Sequence, residues 1–462
     1  MNKKYFPLFF IVFLSRIPFL WLGYGVEEDS WGIALAAFHT HLSGMYEPSR
    51  FPGHPVQELL YSALWGAGPI VFNGLSAFFS AIAVVFFAKI LNHLNFNHYF
   101  LAALALAFVP VFYISSTYTI DFVWTEAFVL ISFYYLLKNK LILTGVFLGL
   151  AVGCRITSGV MLLPFLMIIW EQKNGRKNII QLVKMAAPMC IVAFIAFIPL
   201  MLQFGLSFFM YYDQFPYPSF AKVFYKMIPG VFGCIGVVSI AICLLYILVN
   251  KKKIQFGGLF SEELNRKLIW AGFIVLILFS ISYLRLPQKS GYMISVLPFV
   301  IILFGYFLNA RLFKFLCISF IISPFICGIN LTDKLRGAEY SKLACMFTVS
   351  GQEIFFDPLS GPIMEDYSKR KQKDKYVMEV NLKIFMTSEK TVVIAGWWYN
   401  QLMVKMLHDP KNEKVILESY INEEKMNEYK TQGYKIVYLP EQDLYNDQMY
   451  KMIVTDKLAA PF

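Results

Sequence analysis

Apolar runs of the length a membrane helix needs, roughly 20 residues, recur along the first 330 positions and then stop. The pattern predicts helical spans at 5–24, 69–90, 99–116, 121–137, 141–155, 157–171, 185–204, 228–249, 268–284, 292–310 and 312–329, about eleven in all. Spans 141–155 and 157–171 are short and meet at Gly153-Cys154-Arg155-Ile156-Thr157, which reads as a tight outer turn or as the tip of a buried or re-entrant hairpin. Residues 1–330 are therefore expected to form a mostly α, polytopic membrane domain.

The polar interruption at 25–68 is too long for a simple connector. Between Asp29 and Leu42, apolar Trp31, Ile33, Ala34, Ala37, Phe38 and Leu42 alternate with Ser30, His39, Thr40 and His41. That spacing predicts a weakly amphipathic interfacial helix. Pro48, Pro52 and Pro55 force an extended stretch, and 56–65 reads as helix again.

From 331 the pattern changes to that of a soluble domain. Strands are predicted at 391–396, 414–417 and 433–440, with a helix at 421–432. Strands alternating with helices predict a small α/β domain over 331–462. It has no Gly-rich phosphate loop, and the basic stretch 369–375 reads as a solvated helix face.

Composition agrees with the membrane reading. Hydrophobic residues make up 58% of the 462 and charged residues 15%, against about 25% charged in soluble domains. Residues 1–330 hold 23 Lys and Arg against 11 Asp and Glu, so the whole net charge of +11 comes from the membrane part. Such an excess is topogenic and does not call for nucleic acid. Lys3 and Lys4 put the N-terminus on the cytoplasmic side. Lys138, Lys140, Lys173, Arg176, Lys177, Lys184, Lys251 to Lys253, Arg266, Lys267, Arg311 and Lys314 fall in later inside loops. An odd number of spans then makes the C-terminal domain extracytoplasmic. The seven cysteines show no metal-ligand or disulfide spacing and read as packing residues.

In that topology one face of the membrane collects Glu27, Glu28, Asp29, Glu47, Glu58, Asp121 and Glu126 with Arg50, Arg155, Arg285 and Lys289. Charges do not gather at a membrane boundary without a use. One reaction suits them: transfer of a sugar from a lipid phosphate held at the interface. A carboxylate takes the proton from an acceptor hydroxyl, and arginines stabilise charge on the departing phosphate. Asp29 is the candidate base, with Glu28 able to share or take that role. Arg155, Arg285 and Lys289 are candidates for the donor phosphate. Asp121, His54 and Arg50 are candidates for positioning acceptor or metal. Each has an ordinary alternative: Asp29 and Asp121 as helix caps, Arg155 as a snorkelling anchor, His54 as a turn residue.

These residues resemble the GT-C superfamily, the polyprenyl-phosphate-sugar-dependent integral membrane glycosyltransferases that include protein O-mannosyltransferases and lipid A aminoarabinose transferases. Glu28-Asp29-Ser30-Trp31 stands where the family has its catalytic acid, and Arg50-Phe51-Pro52-Gly53-His54-Pro55 where relatives carry a His/Pro-rich motif. Asp121 matches the second-loop acid. Gly149 to Arg155 resembles the turn that sets a basic residue near the donor phosphate, and Arg285-Leu286-Pro287 to Pro298 a later outer loop. The resemblance covers 1–330. The first acidic site departs from the pattern in being Glu-Glu-Asp, and the α/β tail matches no particular member. It implies an inverting transfer from a polyprenyl-phosphate sugar to a glycan, lipid or protein acceptor outside the cytoplasm. It calls for no organic cofactor and leaves a divalent metal open. A lipid-linked glycan transporter or flippase is the rival expectation, and a scaffold anchored by its spans a weaker one.

Overall fold

The computed structural model describes residues 3–171, 174–207, 217–250, 262–331, 341–349, 351–407, 412–439 and 459–462. Lys173 and Lys251 to Lys253 of the inside loops lie outside the described residues. Five helices among the described residues are long and apolar enough to cross a membrane, and four more apolar helices are shorter. The protein is an integral membrane protein, and the expected apolar runs are all helical, though several are broken.

The first run forms α1 (Phe6–Arg16) and then a 3-10 turn. Next come α2 (Glu28–Ser43), α3 (Pro55–Ala63) and α4 (Gly68–His93). The run expected as one span over 99–116 is two helices, α5 (Tyr99–Phe108) and α6 (Pro110–Ser115). Pro110 lacks the N–H that would continue the ladder, and Val109 before it is pushed out of helical geometry (φ −54°, ψ 128°). α7 (Phe122–Leu137) runs through the centre and is buried along nearly its whole length.

α8 (Leu141–Cys154) packs between α7 and the long α10 (Gly175–Phe204), with α9 (Leu162–Ile169) between them in sequence. Gly145, Gly149 and Gly153 recur every four residues on one α8 face. A Cβ at Gly149 would stand 2.7 Å from the Met189 carbonyl, one at Gly153 3.1 Å from the Ala196 methyl, and one at Gly145 would strike the Met185 carbonyl. Glycine here lets two membrane helices approach backbone to backbone. That contact fixes the end of α8, from which Arg155 leaves in extended geometry (φ −154°, ψ 113°). α11 (Phe220–Met227), α12 (Pro229–Val249), α13 (Glu263–Arg285), α14 (Leu297–Phe307) and α15 (Ala310–Ile322) complete the helical part.

The C-terminal part holds two sheets. β1 (Gly328–Leu331), β2 (Cys345–Val349) and β3 (Gln352–Asp357) form an antiparallel sheet in the order β1-β3-β2, so the strand across position 330 already belongs to the tail. After α16 (Pro362–Met386), a parallel sheet combines β4 (Thr391–Ile394), β5 (Val415–Glu418), β6 (Lys435–Tyr438) and β7 (Ala460–Pro461) in the order β5-β4-β6-β7. Helices α17 (Tyr399–Met406) and α18 (Glu423–Thr431) alternate with its strands. Val377, Val380 and Ile384 of α16 pack with Val393, Trp398 and Leu402, while Met426 packs with Val392, Ile394 and Ile436. Apolar side chains on both faces of β4 are what a parallel sheet requires.

Two expectations need correction. The 369–375 stretch is solvated on one side only: Lys371 and Lys375 are exposed, but Arg370 is 2% exposed. Its Nε donates to the Leu22 carbonyl at 3.0 Å, and its Nη1 and Nη2 to Thr117 Oγ1 and the Gly23 carbonyl at 3.3 and 3.4 Å. Lys373 Nζ donates to the Val26 carbonyl at 3.1 Å. The helix is polar because it caps backbone carbonyls of the membrane domain. The second correction concerns α2, whose residues Ser30 to Ala37 are all buried. It packs against α3 on one side and α17 of the tail on the other, so it is an interior helix and not a surface one.

Candidate active site

The segments that carry the acids are laced together by backbone and amide hydrogen bonds. Asn73 of α4 donates to the Leu20 and Gly23 carbonyls at 3.0 and 2.8 Å and accepts from Thr119 Oγ1 at 2.9 Å. Thr119 N donates to the Tyr24 carbonyl at 2.9 Å, and Trp31 Nε1 to the Gly25 carbonyl at 2.9 Å. The chain before Glu27-Glu28-Asp29 therefore lies alongside the chain before Asp121.

The loop 46–54 is shaped by Glu58, which is 1% exposed. Its carboxylate accepts from Ser49 N at 3.1 Å, from His54 N at 3.0 Å, and from the hydroxyls of Ser49 and Tyr46. The Phe51–Pro52 peptide is cis, and Gly53 has φ +86°, which a side chain would resist. The turn brings Arg50 and His54 to the same edge.

Six charged side chains then alternate in sign. Lys289 pairs with Glu27 at 2.6 Å and with Asp29. Arg50 pairs with Asp29, and its Nη2 lies 3.6 Å from Asp121 Oδ1. Arg155 Nε donates to Asp121 Oδ2 at 2.6 Å. Asp121 occupies the N-cap position of α7, but its side chain makes no cap bond and turns to the arginines. His54 sits inside this chain. Its Nδ1 is 2.6 Å from the Cys154 carbonyl, and its Nε2 accepts from Arg50 Nε at 3.2 Å. Those two partners select the tautomer with the proton on Nδ1. Burial lowers the His54 pKa and Arg50 lowers it further, against Asp121, so the ring is neutral.

The two glutamates differ. Burial opposes ionisation of Glu27, but Lys289 beside it, with Arg50 and Lys226 further off, outweighs burial and holds its carboxyl below the usual range. Glu28 is pushed up to about 7 by burial, only partly countered by Lys289, Arg50 and Lys373. Its Oε1 accepts from Asn400 Nδ2 of α17 at 3.1 Å.

Beside Arg155 lies a small pocket, with room for about one water, lined by Phe122, Thr125, Arg155, Ser158, Tyr292 and Ser295 among others. The guanidinium lies over the rings of Phe122 and Tyr292 at 4.4 and 4.9 Å. Among the described residues, buried Arg155 Nη2 and Thr125 Oγ1 have no hydrogen-bond partner. Two unused donors at a pocket suit an anionic or hydroxyl-bearing group. No three His, Cys, Asp or Glu side chains among the described residues converge as a metal-ligand set.

The structure thus brings together Glu28, Asp29, Arg50, His54, Asp121, Arg155 and Lys289. Arg285 stands exposed at the C-terminal end of α13. Sequence reading left Glu58 without a role, although an acid in the first turn after Pro55 was a usable signal. It missed Asn400, Arg370 and Lys373, for which nothing local in the sequence points to the site.

The fold matches that of two crystal structures of ArnT from Cupriavidus metallidurans. One holds undecaprenyl phosphate: TM-score 0.53, 12% identity, covering 100% of this chain and 90% of that one. The other is the apo state: TM-score 0.53, 10% identity, covering 99% and 89%. At that identity the likeness is one of fold, and it runs through the α/β tail as well as the helices. No protein-family model matches the sequence, and no curated protein does.

Proposed function

We propose that the protein is a membrane glycosyltransferase that moves a sugar from a polyprenyl-phosphate donor to an acceptor outside the cytoplasm. The observation that carries this reading is the alternating chain Glu27–Lys289–Asp29–Arg50–Asp121–Arg155, which ends at a pocket with two unused donors. The match to a fold whose crystal structure holds undecaprenyl phosphate supports the donor class.

The donor's phosphate would lie at the pocket beside Arg155, with Arg50 and Lys289 supplying further positive charge. The Glu28–Asp29 pair would supply the base. Asp29 is ion-paired with two cations, whereas Glu28 accepts a hydrogen bond from a neutral amide. The base takes the acceptor hydroxyl proton as the oxygen attacks the anomeric carbon. The bond from that carbon to the phosphate oxygen breaks, and polyprenyl phosphate leaves with the electron pair. One displacement inverts the anomeric centre. Neutral His54 and paired Asp121 hold Arg50 and Arg155 in place. In this reading the N-terminus is cytoplasmic and the α/β domain lies outside. The fold match lends nothing to the transporter reading.

The test is turnover of a panel of polyprenyl-phosphate sugars, with candidate acceptors, by the purified protein in lipid. Release of polyprenyl phosphate by the parent, lost when Glu28 and Asp29 are both made amides, supports the proposal. Release undiminished by that double change overturns it.

A further inference from the structure

The C-terminal domain reaches the candidate base directly. Asn400, on α17, lies 372 residues from Glu28 in sequence and donates to its Oε1 at 3.1 Å. Gly32 stands one turn after Glu28 on the same helix face. A Cβ there would come 3.2 Å from Asn400 Nδ2, so glycine leaves the room that the amide occupies. The domain is docked independently of this contact by Arg370 on Leu22, Gly23 and Thr117, by Lys373 on Val26, and by Tyr118 on Asp366.

We propose that Asn400 is a positioning residue of the membrane site, its amide N–H fixing one oxygen of Glu28 and leaving the other to take a proton. This deepens the glycosyltransferase reading and rests on it for the catalytic meaning of Glu28. The charged groups that face Glu28 are Lys289 from the loop before Ser290, Arg50 from the first loop and Lys373 from α16, with Glu27 and Asp29 as chain neighbours. Asn400, by contrast, is a neutral donor. It neither titrates nor neutralises the carboxylate, so it orients the base without quenching it.

The test uses the full chain in lipid nanodiscs with two readouts. Infrared titration of the Glu28 carboxyl, identified by its loss in Glu28→Gln, needs no turnover. The pH–rate profile of polyprenyl phosphate release needs it. Asn400→Ala raises the Glu28 midpoint by about one pH unit, roughly tenfold in its proton equilibrium. It lowers kcat about tenfold with the donor KM unchanged, as loss of a group that acts in the transition state does. Asn400→Asp, which keeps the shape and adds a like charge, raises the midpoint further. Gly32→Ala, which crowds the amide without touching Glu28, shifts it in the same direction. In the Glu28→Gln background, where no Glu28 carboxyl remains to titrate, Asn400→Ala leaves the residual rate and its pH profile unchanged. An unmoved midpoint in Asn400→Ala overturns the inference, as does a tail that becomes protease-sensitive in Asn400→Asp, because the contact would then serve docking. A shifted midpoint with no turnover of any donor leaves the positioning role standing and removes the glycosyltransferase reading.

Discussion

Arg155 donates through Nε to Asp121 Oδ2 at 2.6 Å across 34 residues of sequence. The same carboxylate presents its other oxygen to Arg50 at 3.6 Å. Asp121 is fully buried, so it has no solvent to replace either partner. Asp121→Asn leaves two guanidinium groups without their shared counter-charge. We expect it to cost about 3 kcal/mol in unfolding measured in lipid. Arg155→Lys keeps the charge but loses the planar fork, and should lower kcat/KM for a polyprenyl-phosphate sugar by about 10².

With Glu28 as base, the proposed transfer should be pH-dependent near neutrality. The Glu28 carboxyl sits at about 7, and a base must be deprotonated. The rate should therefore rise about tenfold per pH unit below 7 and level off above it. Glu28→Gln should remove that limb and lower kcat by about 10³, whereas Asp29→Asn should keep the limb. The opposite result would give the base role to Asp29. Stability has the other sign. A folded-state value raised above the ordinary one means that the native protein binds the proton more tightly, so stability falls as pH rises from about 4.5 to about 7. Glu28→Gln should then melt higher than the parent at pH 8.

Glu58 is the anchor of the loop that carries Arg50 and His54, accepting four hydrogen bonds while 1% exposed. Glu58→Ala orphans those donors and should cost about 3 kcal/mol. It should also depress turnover with little effect on tail docking, as read by protease resistance. Glu58→Gln retains an acceptor oxygen and should recover part of both losses.

Arg370 and Asp366 fasten the tail to the segments that deliver the acids. Arg370→Ala leaves the Leu22 carbonyl without its donor and the Gly23 carbonyl with Asn73 alone, and hydrogen exchange over 22–29 should rise at least tenfold. Asp366 is pushed up to about 6 by burial, against Arg370 and the Tyr118 hydroxyl. The folded state thus holds its proton more tightly than the unfolded one. Stability should fall as pH rises from about 4 to about 6, and Asp366→Asn should flatten that part of the profile.

Much of the architecture was legible because it rests on local pattern. Apolar runs mark helices, and short continuous runs of apolar, largely β-branched residues mark β4, β5 and β6 within a residue or two. The acids and cations stood out because charge is rare in a chain that is 58% hydrophobic. Pro110 announced the break between α5 and α6 but was passed over, because the flanking hydrophobicity is unbroken. Arg16 lies within the run expected as a span over 5–24 and gave no local signal of its role. It is fully buried, with Nε on Ser116 Oγ at 2.9 Å and its guanidinium 4.2 Å from the Tyr113 ring, partners about a hundred residues away.

The sequence alone determined that this is a polytopic membrane protein with an α/β tail, and that Glu28, Asp29, Arg50, His54, Asp121, Arg155 and Lys289 are the residues to watch. Composition and period carry that information, since burial in lipid constrains every residue of a span. Tertiary structure alone decided the pairings: Asp29 between Arg50 and Lys289, Asp121 between two arginines, Glu58 under the loop, and Asn400 on Glu28. Those contacts join segments up to 372 residues apart, and a hydrogen bond between distant segments leaves no periodicity in either of them.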